Sequence, residues 1–243
     1  MRGIGKVESS FYDENGYYLH HEPVFPSERF GALKALFEDL LQKATVRPDK
    51  LDTPHFEEPR LLDFLLDDQI IDLVEPLIGP DIGLWSSHFI CKTPNDGPAS
   101  AWHADSDYWN GRFEAFTEIV TLWLAIDASD RENGCMRVIP GSHLTTRHDY
   151  SPVDRETNTF GSEIVDVDES KAVYFELKEN EESFHYSRIV HGAEANTSSR
   201  RRGGYTMRYF SQRMKLNRDH SSNQTFKLWH CRGSNPHDNP VVN

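Results

Sequence analysis

The chain is poor in cysteine, in basic residues and in long apolar runs, and each shortage excludes a class of protein. Its 243 residues include 3 cysteines. Cys91, Cys135 and Cys231 are too few and too widely spaced for a disulfide framework or a cysteine-based zinc site, so they read as buried free thiols. No stretch reaches the roughly 18 apolar residues that a membrane helix requires, and Met1-Arg2-Gly3-Ile4-Gly5 leads into polar sequence rather than a signal-peptide core. A cytoplasmic protein without a membrane partner is the expectation. Lysine and arginine number 26 against 39 aspartate and glutamate, a net charge of −13. That field repels phosphate backbones, and the one basic run, Arg200-Arg201-Arg202, is too short for a nucleic-acid footprint.

Large apolar side chains are nonetheless present. Hydrophobic residues make up 37% and aromatics 12%, with 5 Trp and 14 Phe, enough for a real core despite a mean hydropathy of −0.65. Phe30, Leu33, Phe37, Leu40, Leu41 and Ala44 recur at steps of three and four behind Pro26-Ser27-Glu28, predicting a helix that Pro48 closes. Leu61 to Ile78 reads as one helix or two short ones, with Pro76 and Gly79-Pro80 marking its end. Beyond residue 81 the texture turns to short β-rich runs: 83–92, 118–127, 135–139, 163–167, 171–177, 184–190 and 205–210. Strands at this spacing make a sandwich or barrel. No linker divides the chain, so the expectation is one domain, 1–243, with a mainly helical N-terminal layer over 1–80 and a β core over 81–243. The N-terminal helices would either form a homodimer face or cap the barrel.

Twelve histidines in an acidic chain invite a search for metal ligands. The informative element is His103-Ala104-Asp105 at the edge of a predicted strand, where residues two apart share a face and the imidazole and carboxylate converge. Such a triplet arises by chance about once in a chain of this composition, so its flanks decide. His191 stands at the end of another β run. A His-x-Asp pair with a distant His is the ligand set of the facial triad that holds Fe(II) on one face and leaves three positions open. Arg202 follows His191 by eleven residues and offers a permanently charged planar fork suited to the far carboxylate of a dicarboxylic acid. Trp102, Tyr108 and Trp109 are either core or the aromatic wall of a substrate site; His185 either reaches substrate or packs. His143 follows a Pro-Gly turn and reads as structural, and His230 and His237 as tail residues.

Four stretches in fixed order carry a family resemblance: Trp102-His103-Ala104-Asp105 with Asp107-Tyr108-Trp109; Leu122 to Asp127; Glu132 to His143; and Ser183 through His191-Gly192 and Asn196 to Arg202. Over roughly residues 83–232 the chain resembles the phytanoyl-CoA dioxygenase family of Fe(II)- and 2-oxoglutarate-dependent oxygenases. The resemblance implies a double-stranded β-helix, the cupin-like jelly roll, with iron held by His103, Asp105 and His191 and 2-oxoglutarate paired with Arg202 and lined by Lys92 and Trp123. It implies hydroxylation using O2, with release of succinate and CO2. Asp105 occupies the position where halogenating relatives carry a small residue, which favours hydroxylation; Ala193 stands where many members have a serine that donates to 2-oxoglutarate. A small polar metabolite is the expected partner, the acidic surface and the aromatics tolerating a cationic head group. A jelly-roll metal oxygenase without 2-oxoglutarate and a non-catalytic binding domain stay open as alternatives.

Overall fold

The computed structural model describes residues 4–114 and 119–242, so Met1–Gly3, the expected strand start at Glu118 and the terminal Asn243 lie outside the described residues. Five helices are α1 (Lys6–Asn15), α2 (Ser27–Lys43), α3 (Leu62–Leu65), α4 (Asp68–Ile78) and α5 (Asp105–Tyr108). The strands, in chain order, are β1 (Tyr17–His20), β2 (Leu51–Asp52), β3 (Ile82–Lys92), β4 (Ser100–His103), β5 (Ile119–Ala125), β6 (Met136–Val138), β7 (Tyr150–Pro152), β8 (Ser162–Ile164), β9 (Val173–Tyr174), β10 (Glu182–Tyr186), β11 (His191–Ala193), β12 (Arg202–Ser211), β13 (Leu228–Arg232) and β14 (Val241–Val242).

Three of the helices follow local rules. α2 begins after Pro26 and buries Phe30, Leu33, Leu36 and Phe37. It stops at Lys43, short of Pro48, which opens a separate 3-10 turn. The second helical stretch is two helices, and Asp67 caps α4 by accepting from the Gln69 N–H. Pro76 lies inside α4 rather than ending it, although a proline there forfeits the N–H bond to the carbonyl four residues back; the end comes at Gly79, whose positive φ of 83° suits glycine and whose N–H closes on the Glu75 carbonyl at 2.9 Å.

The strands form a large sheet in the order β1-β10-β5-β12-β3-β13-β14, with β2 on β3, and a smaller one in the order β4-β11-β6-β9. All pairs are antiparallel except β13 with β14. β12 lies inside the large sheet between β5 and β3 and is buried along its whole length. Its alternation sorts the molecule: Tyr205, Met207 and Tyr209 join the apolar side chains of α2 and α4 in the main core, whereas Arg202, Thr206 and Arg208 line a cavity. That cavity takes residues from both sheets and therefore lies between them. On β3 the register runs from Arg208↔Ser86 to Tyr209↔Leu84, and this bulge leaves Trp85 over as the unpaired residue. The extra residue brings Trp85 and Ser86 both to the cavity.

The N-terminal part is not purely helical, since β1 and β2 both join the large sheet. β1 docks on β10 with His20 opposite Glu182, and His20 Nδ1 stands 2.9 Å from Glu182 Oε1. Glu182 is 0% exposed; burial pushes its carboxyl up to about 7, with His20 opposing. A folded-state value above the unfolded one favours the protonated form, so the contribution of Glu182 to stability is complete below about pH 4.5 and is lost as pH rises through 7. Glu182→Gln should therefore gain on the wild type by on the order of 1–3 kcal/mol between pH 5 and pH 8 in urea denaturation; a constant difference would contradict the burial argument.

Gly204 shows how tightly β12 and β5 fit. A Cβ at this position would collide with the Trp123 ring. Gly204→Ala should cost about 1–3 kcal/mol, read as a lower urea midpoint with an altered tryptophan emission.

Candidate metal centre

Strand register, not sequence proximity, brings the metal-ligand candidates together. His103 ends β4 and His191 begins β11, and the two are directly opposed across the antiparallel pair, with ring centroids 4.0 Å apart. Asp105 is not on the strand, as the two-residue spacing had suggested. After Ala104 the chain turns, and Asp105 opens the single turn of α5, which swings its carboxylate back to both imidazoles. The Ser106 N–H donates to the Ser187 carbonyl at 2.9 Å and anchors that turn. Asp105 Oδ1 lies 3.7 Å from His103 Nε2 and 4.0 Å from His191 Nε2, and the three ligand atoms fall within 4.8 Å of one another.

Hydrogen bonds set the chemistry of each ligand. The Nδ1–H of His103 donates to the Ala101 carbonyl at 2.7 Å, and that of His191 to the Ile189 carbonyl at 3.0 Å. A carbonyl only accepts, so Nδ1 carries the proton and Nε2 presents its lone pair to the centre. Burial, helped by His191, pushes His103 down to about 3, and burial lowers His191 as well. Burial alone would raise Asp105, but Arg208, His191 and His103 outweigh it and hold the carboxyl well below the usual range. Two neutral imidazoles and one carboxylate form a buried N,N,O donor set of the kind that suits a divalent iron.

Arg208 was not foreseen as a site residue. Its Nε donates to Asp105 Oδ2 at 3.2 Å, leaving Oδ1 toward the histidines. The signal was available, because Arg208 stands six residues after Arg202 on one strand and so shares its face.

Arg202 is 2% exposed and its guanidinium carbon lies 5.3 Å from the Trp123 ring centroid. Its Nε has no hydrogen-bond partner, and among the described residues it makes no ion pair. Burial pushes its pKa down to about 10, and the neighbours that oppose the shift are the thiols of Cys135 and Cys91. An arginine so placed asks for an anion.

The cavity, about 330 Å³, collects most of the expected residues: His103, Asp105, His191, Arg202, Trp123, His185, Tyr108 and Trp109 line it. His185 is fully buried, its ring 4.9 Å from that of His191, with no hydrogen-bond partner at either nitrogen. Tyr108, 44% exposed, stacks on Phe160 at the rim. One expectation is corrected, and one open alternative is decided for the core. The Lys92 ammonium is bound to the carbonyls of Ala193 and Glu194 and does not line the cavity. Trp102 leaves the other face of β4, packs with Ile164 and Val190, and donates from Nε1 to Glu169 at 3.0 Å. His143 is structural, its Nε2 3.0 Å from the Asp13 carbonyl.

The sequence profile described as phytanoyl-CoA dioxygenase (PhyH) matches residues 12–204. The chain belongs to the phytanoyl-CoA dioxygenase (PhyH) family. A relative from Caenorhabditis elegans, the phytanoyl-CoA dioxygenase domain-containing protein 1 homolog, is 28% identical over 63% of this chain and 55% of its own length. The chain thus spans about half of that PhyH relative. Among solved structures, the non-heme alpha ketoglutarate dependent carbocyclase SnoK aligns with a TM-score of 0.72 at 23% identity, covering 91% of this chain and 89% of that one. EvdO2 from Micromonospora carbonacea var. aurantiaca, complexed with 2-oxoglutarate, aligns with a TM-score of 0.74 at 18% identity over 90% and 95%. These likenesses establish the fold of this PhyH member as the jelly roll, in agreement with its mainly β structure and flanking helices.

If the Arg208 contact orients Asp105, Arg208→Gln should weaken Fe(II) binding about 10- to 100-fold without unfolding the protein. Anaerobic Fe(II) titration with circular dichroism checks it, and unchanged affinity would reduce Arg208 to a packing residue.

Proposed function

We propose that this chain is an Fe(II)- and 2-oxoglutarate-dependent dioxygenase that hydroxylates an unactivated C–H bond of a small polar metabolite. The observation that carries the reading is the buried, unpaired guanidinium of Arg202 in the same cavity as the His103, Asp105 and His191 cluster. Leaving a buried arginine without a counter-ion costs several kcal/mol, so its retention points to an anionic ligand that completes the site. An oxygenase independent of 2-oxoglutarate would not need it.

Bound there, iron with 2-oxoglutarate and O2 would supply a two-electron oxidation in which 2-oxoglutarate goes to succinate and CO2 and the substrate C–H to C–OH. The chain's own residues position and exclude. His103, Asp105 and His191 would hold the metal, Arg208 holds Asp105 by its Oδ2, and Arg202 would form a charge-assisted pair with the distal carboxylate of the co-substrate. Trp123 packs beside that pair. His185, neutral because burial holds its pKa well below the ordinary value, supplies a hydrogen-bonding nitrogen next to His191. Asp105 fills the coordination site that a halide would need, so hydroxylation is the favoured outcome. No side chain is required as a general base, and the protein's contribution is placement of reactants in a shielded cavity.

The test is an anaerobic titration of Fe(II)-loaded protein with 2-oxoglutarate, watching for the visible charge-transfer absorption of a chelated 2-oxo acid. Asp105→Ala should lose Fe(II) binding, and Arg202→Ala should keep Fe(II) but bind 2-oxoglutarate weaker by about 2–5 kcal/mol, some 30- to several thousand-fold. Metal binding with no such band in the wild type would overturn the co-substrate assignment.

A further inference from the structure

The cavity holds more positive charge than the proposed chemistry uses. Among the described residues, four cationic side chains line it, Lys50, Arg112, Arg202 and Arg208, against two carboxylates, Asp52 and Asp105. Arg208 is engaged by Asp105, and Arg202 is assigned to the co-substrate. Arg112 and Lys50 remain.

Arg112 is held firmly and its charge is left open. Its guanidinium carbon sits 4.3 Å from the Trp85 ring centroid and 4.2 Å from that of Phe226, beside a pair of rings whose own centroids are 4.6 Å apart. Its Nε donates to Asn223 Oδ1 at 2.8 Å and its Nη2 to the Ser222 carbonyl at 3.2 Å. Both partners are neutral, Nη1 makes no hydrogen bond, and Arg112 forms no ion pair among the described residues. Asn223 in turn donates to the Arg112 carbonyl at 2.8 Å, so the support is reciprocal. Asp52, the one acidic group among the described residues that acts on its charge, is 68% exposed and stands 3.8 Å from His88. Lys50 is bound to the Thr159 carbonyl and lies 4.0 Å from Asp49, whose carboxylate already accepts two hydrogen bonds from Arg47 at 2.9 and 2.7 Å.

The walls around Arg112 are aromatic. Trp109 lies 6.0 Å from Trp85, and the bulge on β3 aims Trp85 into this corner. The chain-wide charge of −13 had suggested a site tolerant of cations. Locally the sign is reversed.

We infer that Arg112 recognises the anionic end of the primary substrate, an organic acid whose flat apolar body lies against Trp85, Trp109 and Phe226. The inference rests on the oxygenase reading and narrows the substrate class of that same site. A preorganised guanidinium presents a fork to a carboxylate, the rings beside it shield one side of the pair, and an amine in the same place would meet like charge. The cavity of about 330 Å³ would be shared with the co-substrate at Arg202, so what remains suits only a small acid.

The experiment compares 3-phenylpropionate with 3-phenylpropylamine by isothermal calorimetry, on protein loaded anaerobically with Fe(II) and saturating 2-oxoglutarate so that Arg202 is occupied. The acid should bind saturably and the amine at least about tenfold more weakly; Arg112→Met should lower acid affinity at least about tenfold, and Arg112→Lys by less, while the Fe(II)–2-oxoglutarate absorption band stays intact. Equal binding of acid and amine, no binding of the acid, or unchanged acid affinity in Arg112→Met with the band intact would overturn it. Absence of the band in the wild type would instead sink the oxygenase reading, and the charge preference would then be read with the same two probes on the metal-free protein.

Discussion

The direct opposition of His103 and His191 across β4 and β11 is the constraint on which the rest of the centre depends. Cross-strand neighbours share a face, so one backbone pairing delivers two imidazoles to one point without any loop having to hold them. A slip of one residue would turn His191 to the opposite face and dissolve the cluster. Gly192 guards that pairing, because a Cβ there would stand 2.9 Å from the Ser100 carbonyl and 3.3 Å from the Trp102 ring. The backbone also sets the protonation pattern. Carbonyls two residues back take the Nδ1 protons and leave both Nε2 atoms aimed inward.

Around this pair the cavity is organised by charge. Two arginines on one face of β12 are buried in the space between the sheets, and each needs an anion. Arg208 has one in Asp105, whose other oxygen is thereby left for the metal. Arg202 has none among the described residues. The same strand presents Tyr205, Met207 and Tyr209 to the helices, so the core that stabilises the protein and the cavity that gives it chemistry are the two faces of one element. Rigidity of the site follows from that sharing.

The shape of the cavity depends on irregularity. A regular β3 would alternate Trp85 away from Ser86; the bulge brings both inward and sets an indole against Arg112. Likewise α5 is a single helical turn, long enough to return Asp105 to the histidines and to leave Tyr108 at the rim. Short deviations from regular structure do the aiming, while the sheets supply the frame.

Much of this was legible in the residues. The steps of three and four in α2, the β-rich runs that became β3, β5, β10 and β12, and the order of His103, Asp105, His191 and Arg202 all express local preference or local spacing, and a linear chain displays both. α1 and β1 escaped, since Lys6–Asn15 buries only Tyr12 and β1 exists because Tyr17 pairs with His185, far away in the chain. Lys92 was misplaced and Trp102 left between two readings for a related reason: residue type shows what a side chain can do, but neighbouring backbone decides where it ends, and here two carbonyls captured the ammonium while strand alternation turned the indole into the core away from the cavity. The sequence by itself determined the longer helices and strands of the core, the donor set and the position of Arg202. Only the tertiary structure decided which side chains meet, that Asp105 approaches from a helical turn, that Arg208 holds it, and that the cavity of an acidic protein is positively charged, because register and burial are properties of partners distant along the chain.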